Sequence, residues 1–183
     1  HNRRIPPGGT AGLDADRVAH DVMAPGGPAY EAVLAAFGPD LRQADGTIDR
    51  VALGRRVFSD PEALGRLEAI IHPAVGEVVG RASEQSQAPV FVIEAIKLIE
   101  AGLSVARCDE VWVAVCSESE QFARLAASRG MAPAEVRRRA ENQMPAEKMI
   151  RHADRIIRTD GSVAETAALV RAAWQELGFP LPA

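Results

Sequence analysis

The chain has 183 residues, 47% of them hydrophobic and 25% charged, with a formal net charge of −4 at pH 7. That is one domain's length with enough apolar material for a core, and its negative balance excludes a nucleic-acid binder held by a basic surface. Aromatic residues make up only 4%, which argues against stacking platforms for single strands, and no apolar run reaches the roughly 18 residues of a membrane span.

The first twelve residues, HNRRIPPGGTAG, are rich in proline and glycine. They are expected to be atypical and poorly ordered, as is the tail Gly178–Ala183. Leu13-Asp14-Ala15-Asp16 follows, entered from an apolar residue and succeeded by a helix-like Arg17–Met23. This places a carboxylate pair at the top of a strand. Residues 26–86 change texture and predict a helical region. Its breaks are Gly26-Gly27-Pro28, Gly38-Pro39-Asp40, Asp45-Gly46 and Asp60-Pro61.

Pro89–Glu94 is a short continuous apolar run, as expected of a strand buried on both faces. Glu110–Val115 is a second strand and Arg155–Arg158 a weaker third, ending at Thr159-Asp160-Gly161. Between the last two lies an Arg-rich segment, 117–152, with Arg124, Arg129, Arg137, Arg138, Arg139 and Arg151. It predicts helices over Glu118–Arg129 and, opened by Pro133, over Ala134–Asn142. Val163, Ala167, Val170, Trp174 and Leu177 keep helical spacing, with Asp160 or Ser162 near the N-cap and Gly178 at the stop. Strands separated by helices predict a parallel sheet with crossover helices. Cys108 and Cys116 have no metal-like spacing and read as buried thiols of a reducing, cytoplasmic setting.

A carboxylate pair at a strand end suits base-assisted or metal-assisted phosphoryl transfer. The usual partner of that chemistry is G-x-x-x-x-G-K-[ST], whose backbone N–H groups cradle phosphates. His1–Gly12 has glycines but no Gly-Lys-Ser/Thr. From residues alone, Asp16 is either a base or a helix N-cap, and Asp14 either supports the site or makes a strand-end hydrogen bond. Arg50 either binds phosphate or pairs with Asp49. His72 either contacts substrate or closes one helix before Pro73 starts the next. Arg124, Arg129 and Arg139 suit phosphate by their guanidinium forks or form an exposed basic face. Glu94 is either a metal-site or supporting carboxylate or the salt-bridge partner of Lys97. His20 and His152 read as surface or capping residues.

An ordered set of short motifs carries a resemblance. These are Asp14-Ala15-Asp16, Pro28-Ala29-Tyr30, Phe37-Gly38, Gly46-Thr47-Ile48-Asp49-Arg50, Leu53-Gly54, Val57-Phe58-Ser59-Asp60-Pro61, Leu67-Glu68, His72-Pro73, Arg124-Leu125, Arg129-Gly130, Arg139 through Gln143, Ala153-Asp154 and Gly161-Ser162. Over Leu13–Leu177 the chain resembles the dephospho-coenzyme A kinases. The resemblance implies one α/β domain over 1–183, with a three-layer P-loop NTPase-like core built on a parallel sheet. It makes 26–86 the helical coenzyme A-binding region and 117–152 an Arg-rich lid. It also implies that the first strand and phosphate loop are missing upstream, so that His1–Gly12 is expected to be a misread or displaced segment.

The implied reaction moves the γ-phosphoryl of ATP, with Mg²⁺, to the ribose 3′-hydroxyl of dephospho-coenzyme A, the final step of coenzyme A synthesis. The resemblance casts Asp16 as base with Asp14 beside it. It gives Arg50, His72, Glu94 and Lys97 to the substrate, and Arg124, Arg129, Arg139 and Gln143 to ATP, with no certain protein ligand to the metal. Where the family writes Asp-x-Pro-Leu-Leu-Phe-Glu, this chain has Glu94-Ala95-Ile96-Lys97-Leu98-Ile99-Glu100. Two other readings stay open: a relative that binds a coenzyme A-like ligand or a partner without catalysis, and another P-loop nucleoside or small-molecule kinase. Neither membrane nor nucleic acid is expected as a partner, and the oligomeric state is open.

Overall fold

A computed structural model describes residues 10–58, 60–96, 98–101, 105–129 and 144–179. The chain forms two compact units that divide between residues 104 and 105.

In the first unit, β1 (Ala11–Asp14) runs directly into α1 (Ala15–Asp21). Three further helices follow, α2 (Tyr30–Phe37), α3 (Arg50–Val57) and α4 (Pro61–Glu84), and then β2 (Phe91–Glu94) and the short α5 (Leu98–Ala101). β1 and β2 pair in parallel, with Ala11 opposite Phe91 and Asp14 opposite Glu94. Ala11 and Gly12 thus belong to a strand, although their Pro/Gly-rich surroundings predicted otherwise. The pairing explains it, because Ala11 N–H donates to the Val90 carbonyl at 3.0 Å. β2 is shorter than the apolar run, and Val92 is 44% exposed. The run therefore alternates between half-buried and exposed instead of being covered on both faces.

The helices of this unit have local causes. Asp49 caps α3 by accepting from Ala52 N–H at 2.9 Å. Asp60 caps α4, accepting from Glu62 and Ala63 N–H at 2.9 and 3.2 Å, and Pro61 occupies the first helical position, where no N–H is needed. Val18, Val22, Tyr30, Val33, Leu34, Leu41, Leu53 and Val57 pack into one core with Ala63 and Ile71 of α4. The Tyr30 hydroxyl donates to the Gly46 carbonyl, which pins the Asp45-Gly46 turn to the core. Gly46 has φ of +85°, a conformation glycine adopts without steric cost. A Cβ on Gly27 would lie 2.4 Å from the Val22 carbonyl oxygen, so only glycine lets the chain turn there. α4 passes through Pro73 without a break. His72 therefore ends no helix, contrary to one of its sequence readings. Packing of α4 along α1, α2 and α3 offsets the backbone hydrogen bond that proline cannot donate.

The second unit holds β3 (Trp112–Val115), α6 (Glu118–Arg129), α7 (Ala146–Ile150), β4 (Arg155–Arg158) and α8 (Val163–Glu176). β3 and β4 pair in parallel, Trp112 opposite Arg155 and Val115 opposite Arg158. Val111, Val113, Val115 and Ile157 are its buried residues. Ser162 caps α8 in a reciprocal box with Glu165, and Gly178 follows with φ of +75°. The helix expected over Ala134–Asn142 lies outside the described residues. The architecture is α/β with parallel strands joined through helices, as expected, and among the described residues the strands pair two by two. No helix among the described residues is long and apolar enough to cross a membrane.

Candidate active site

The site grows out of the β1–α1 junction. No loop separates strand from helix: Asp14 ends β1, keeps extended backbone (φ −85°, ψ 106°) and caps α1 by accepting from Arg17 N–H at 3.0 Å. Capping therefore falls to Asp14, not to Asp16, which settles the bland alternative for each. Ala15 is small and only 8% exposed, so it tucks under the junction. Asp16 sits in the first turn of α1, half-buried, and its Oδ2 accepts from the backbone N–H of Ile96 at 3.1 Å. Register does the rest. Asp14 lies opposite Glu94, so Asp16 and Ile96 each stand two residues beyond a paired position.

Asp14 and Glu94 thus lie at the carboxyl ends of two parallel strands, with Asp16 in the helix turn that follows Asp14. Ligands of open α/β sheets bind at such ends. An ionised carboxylate only accepts hydrogen bonds, so this edge suits a hydroxyl donor. Among the described residues, no group of three or more His, Cys, Asp or Glu side chains converges to hold a metal ion.

The other candidates distribute as follows. Arg50 is the first residue of α3 and exposed, and its guanidinium makes no ion pair among the described residues. Asp49 spends its carboxylate on the Ala52 N–H, so the surface pair envisaged for Arg50 does not form. His72 is half-buried on α4, the helix packed along α1. Arg124 ties α6 to the turn after β4: its Nε donates to Glu120 at 2.8 Å, while its Nη atoms donate to the Thr159 carbonyl, to Thr159 Oγ1 and to the Gly161 carbonyl. Arg129 is the last residue of α6. Lys97, Arg139 and Gln143 lie outside the described residues.

Long-range polar contacts at the second unit's strand ends were not legible beforehand. Asp160 accepts from Ser117 N–H at 2.6 Å, which joins the ends of β4 and β3 and holds its carboxyl below the usual range. At the opposite ends, Arg155 donates to Glu110 at 2.8 Å and to Glu176. The Trp112 indole N–H also donates to Glu110, at 2.7 Å. Arg155 first, then Trp112, lower the Glu110 carboxyl.

Compared with known proteins, the family model described as Dephospho-CoA kinase matches residues 5–165. The chain belongs to the dephospho-CoA kinase family. The match begins upstream of Leu13, where the resemblance was expected to start. A dephospho-CoA kinase of Symbiobacterium thermophilum is 42% identical over 170 residues, spanning 91% of this chain and 71% of the relative. One from Geobacter metallireducens is 40% identical over 167 residues, spanning 90% of this chain and 83% of the relative. Among solved structures, TT1252 from Thermus thermophilus superposes with a TM-score of 0.78 at 30% identity, covering 92% of this chain and 85% of its own. A dephospho-CoA kinase from Campylobacter jejuni, 23% identical with a TM-score of 0.64, shares the fold. Dephospho-CoA kinase membership places the β1–α1 junction within the matched span, with both strands of the first unit and both of the second.

Proposed function

We propose that this chain is a dephospho-CoA kinase that transfers the γ-phosphoryl of ATP to the ribose 3′-hydroxyl of dephospho-coenzyme A, completing coenzyme A synthesis. The observation that carries the reading is the placement of Asp16. It lies on a helix start just past the carboxyl end of β1, with one carboxylate oxygen held by the backbone amide of Ile96.

Phosphoryl transfer asks the protein for positioning and charge stabilisation rather than covalent chemistry. In the proposed step, Asp16 Oδ1 takes the proton of the 3′-hydroxyl as that oxygen bonds to the γ-phosphorus. The bond to the β–γ bridging oxygen breaks, and ADP leaves. Mg²⁺ carried by the triphosphate would offset charge on the phosphate oxygens. Asp14 holds the helix start that presents Asp16. Arg50 and His72 are assigned to the phosphates and nucleoside of dephospho-coenzyme A. Glu94 and Lys97 are assigned to the same substrate at the end of β2. Arg124, Arg129, Arg139 and Gln143 are assigned to ATP. Cys108 and Cys116 form no disulfide and are half-buried, not fully buried as their sequence suggested; the absence of a disulfide accords with a reducing cytoplasm. Family membership disfavours both the non-catalytic ligand-binding reading and a different nucleoside kinase.

The chain as given contains no G-x-x-x-x-G-K-[ST]. The test compares it with the same chain preceded by a strand–G-x-x-x-x-G-K-[ST]–helix segment, in an ADP-release assay with dephospho-coenzyme A. Losing even one oriented donor to developing charge costs on the order of 10²–10³ in rate. The extended chain should therefore turn over at least that much faster. Equal rates, or turnover of other nucleosides in place of dephospho-coenzyme A, would overturn the proposal.

A further inference from the structure

The bond between Asp16 and Ile96 joins residues 80 positions apart in sequence. It arises from the strand register, since Asp14 pairs with Glu94 and each chain then advances two residues. Asp16 has need of such a partner. It sits half-buried in the first turn of a seven-residue helix, where a carboxylate can rotate between several orientations. A general base must lie within about 2.6–3.2 Å of the proton it takes. An N–H donating to a carboxylate is a charge-assisted bond, stronger than a neutral one, and here it occupies Oδ2 and leaves Oδ1 without a partner among the described residues.

In the run Glu94-Ala95-Ile96, position 96 is not proline and so keeps the backbone N–H that the contact uses. The Ile96 side chain is 68% exposed, so core packing does not account for it. We propose that the main-chain N–H of Ile96 is a positioning group for Asp16, fixing its Oδ2 so that Oδ1 faces the substrate hydroxyl. The inference rests on Asp16 being the base.

Two measurements test it. In the chain as it stands, amide hydrogen exchange at Ile96 should be slowed. Asp16→Ala should release that protection, by about tenfold or more. Unchanged exchange would overturn the contact, whatever the activity. In the chain carrying the phosphate loop, Ile96→Pro should lower kcat on the order of tenfold, with little change in KM for dephospho-coenzyme A. Ile96→Ala, which keeps the amide, should restore most of that loss. Full kcat in Ile96→Pro, or an equal loss in Ile96→Ala, would overturn the positioning role. If the loop-bearing chain itself turns over nothing, the kinase reading fails, and exchange at Ile96 still decides the coupling.

Discussion

Replacing Asp16 by asparagine keeps the side chain's shape and an oxygen able to accept from the Ile96 amide at the β1–α1 junction. It removes the group that takes up a proton. The fold should tolerate the change. Asp14, not Asp16, caps α1, so the cost is that of one acid at a helix start, about 0.3–1 kcal/mol. Catalysis should not tolerate it. A positioned general base contributes on the order of 10²–10⁴ in rate, which corresponds to about 2.7–5.5 kcal/mol of barrier. The assay is ADP release by the loop-bearing chain, with calorimetry for dephospho-coenzyme A and a thermal melt alongside. The expected result is a fall in kcat of that size, binding kept within a few-fold, and a melt close to the parent's. Turnover within about threefold of the parent would show that Asp16 is not the base. A fall in kcat matched by an equally large loss of binding or of melting temperature would show that it acts through structure.

Three further outcomes follow from the geometry. Asp60→Ala orphans the two N–H groups at the start of α4 and should destabilise the first unit by about 1 kcal/mol, read by urea unfolding; Asp60→Asn should recover most of it. Leu41 is 1% exposed, and Leu41→Ala should cost about 2–5 kcal/mol by the same measurement; a loss below about 1 kcal/mol would contradict the packing described. Glu110, held by Arg155, and Asp160, held by the Ser117 amide, titrate below their usual values of 4.5 and 3.8. Their contribution is therefore present above those values and lost as pH falls through the lowered ones. Urea unfolding between neutral and acid pH should show stability falling on the acid side, with a shallower fall in Glu110→Gln. An unchanged slope would refute that role for Glu110.

Much of this protein is written in short stretches of sequence. α6 begins at Glu118 and β4 spans Arg155–Arg158, as the residues predicted. Asp60-Pro61 and Ser162 with Glu165 announce helix starts because a cap acts on N–H groups two or three residues away. Gly178 ends α8 for an equally local reason. The helical character of 26–86 and the carboxylates at a strand top belong to the same class, since periodicity and residue type suffice. What the tertiary structure decided depends on partners distant in sequence. Local pattern offered Asp16 as base or helix cap and Asp14 as site support or a strand-end hydrogen bond. Pairing of β1 with β2 brought the Ile96 amide to Asp16 and left Asp14 to the cap. Arg124 suits phosphate by its type, and only the fold shows that it also reaches the carbonyls of Thr159 and Gly161. Pro73 looked like a break, and packing carried α4 through it. The run before Glu94 looked buried on both faces, yet Val92 remains 44% exposed. Caps and turns satisfy groups within a few residues, so residue identity announces them. Register, burial and long-range hydrogen bonds are set by which segment lies alongside, and a slip of one residue would turn every side chain of a strand to the other face.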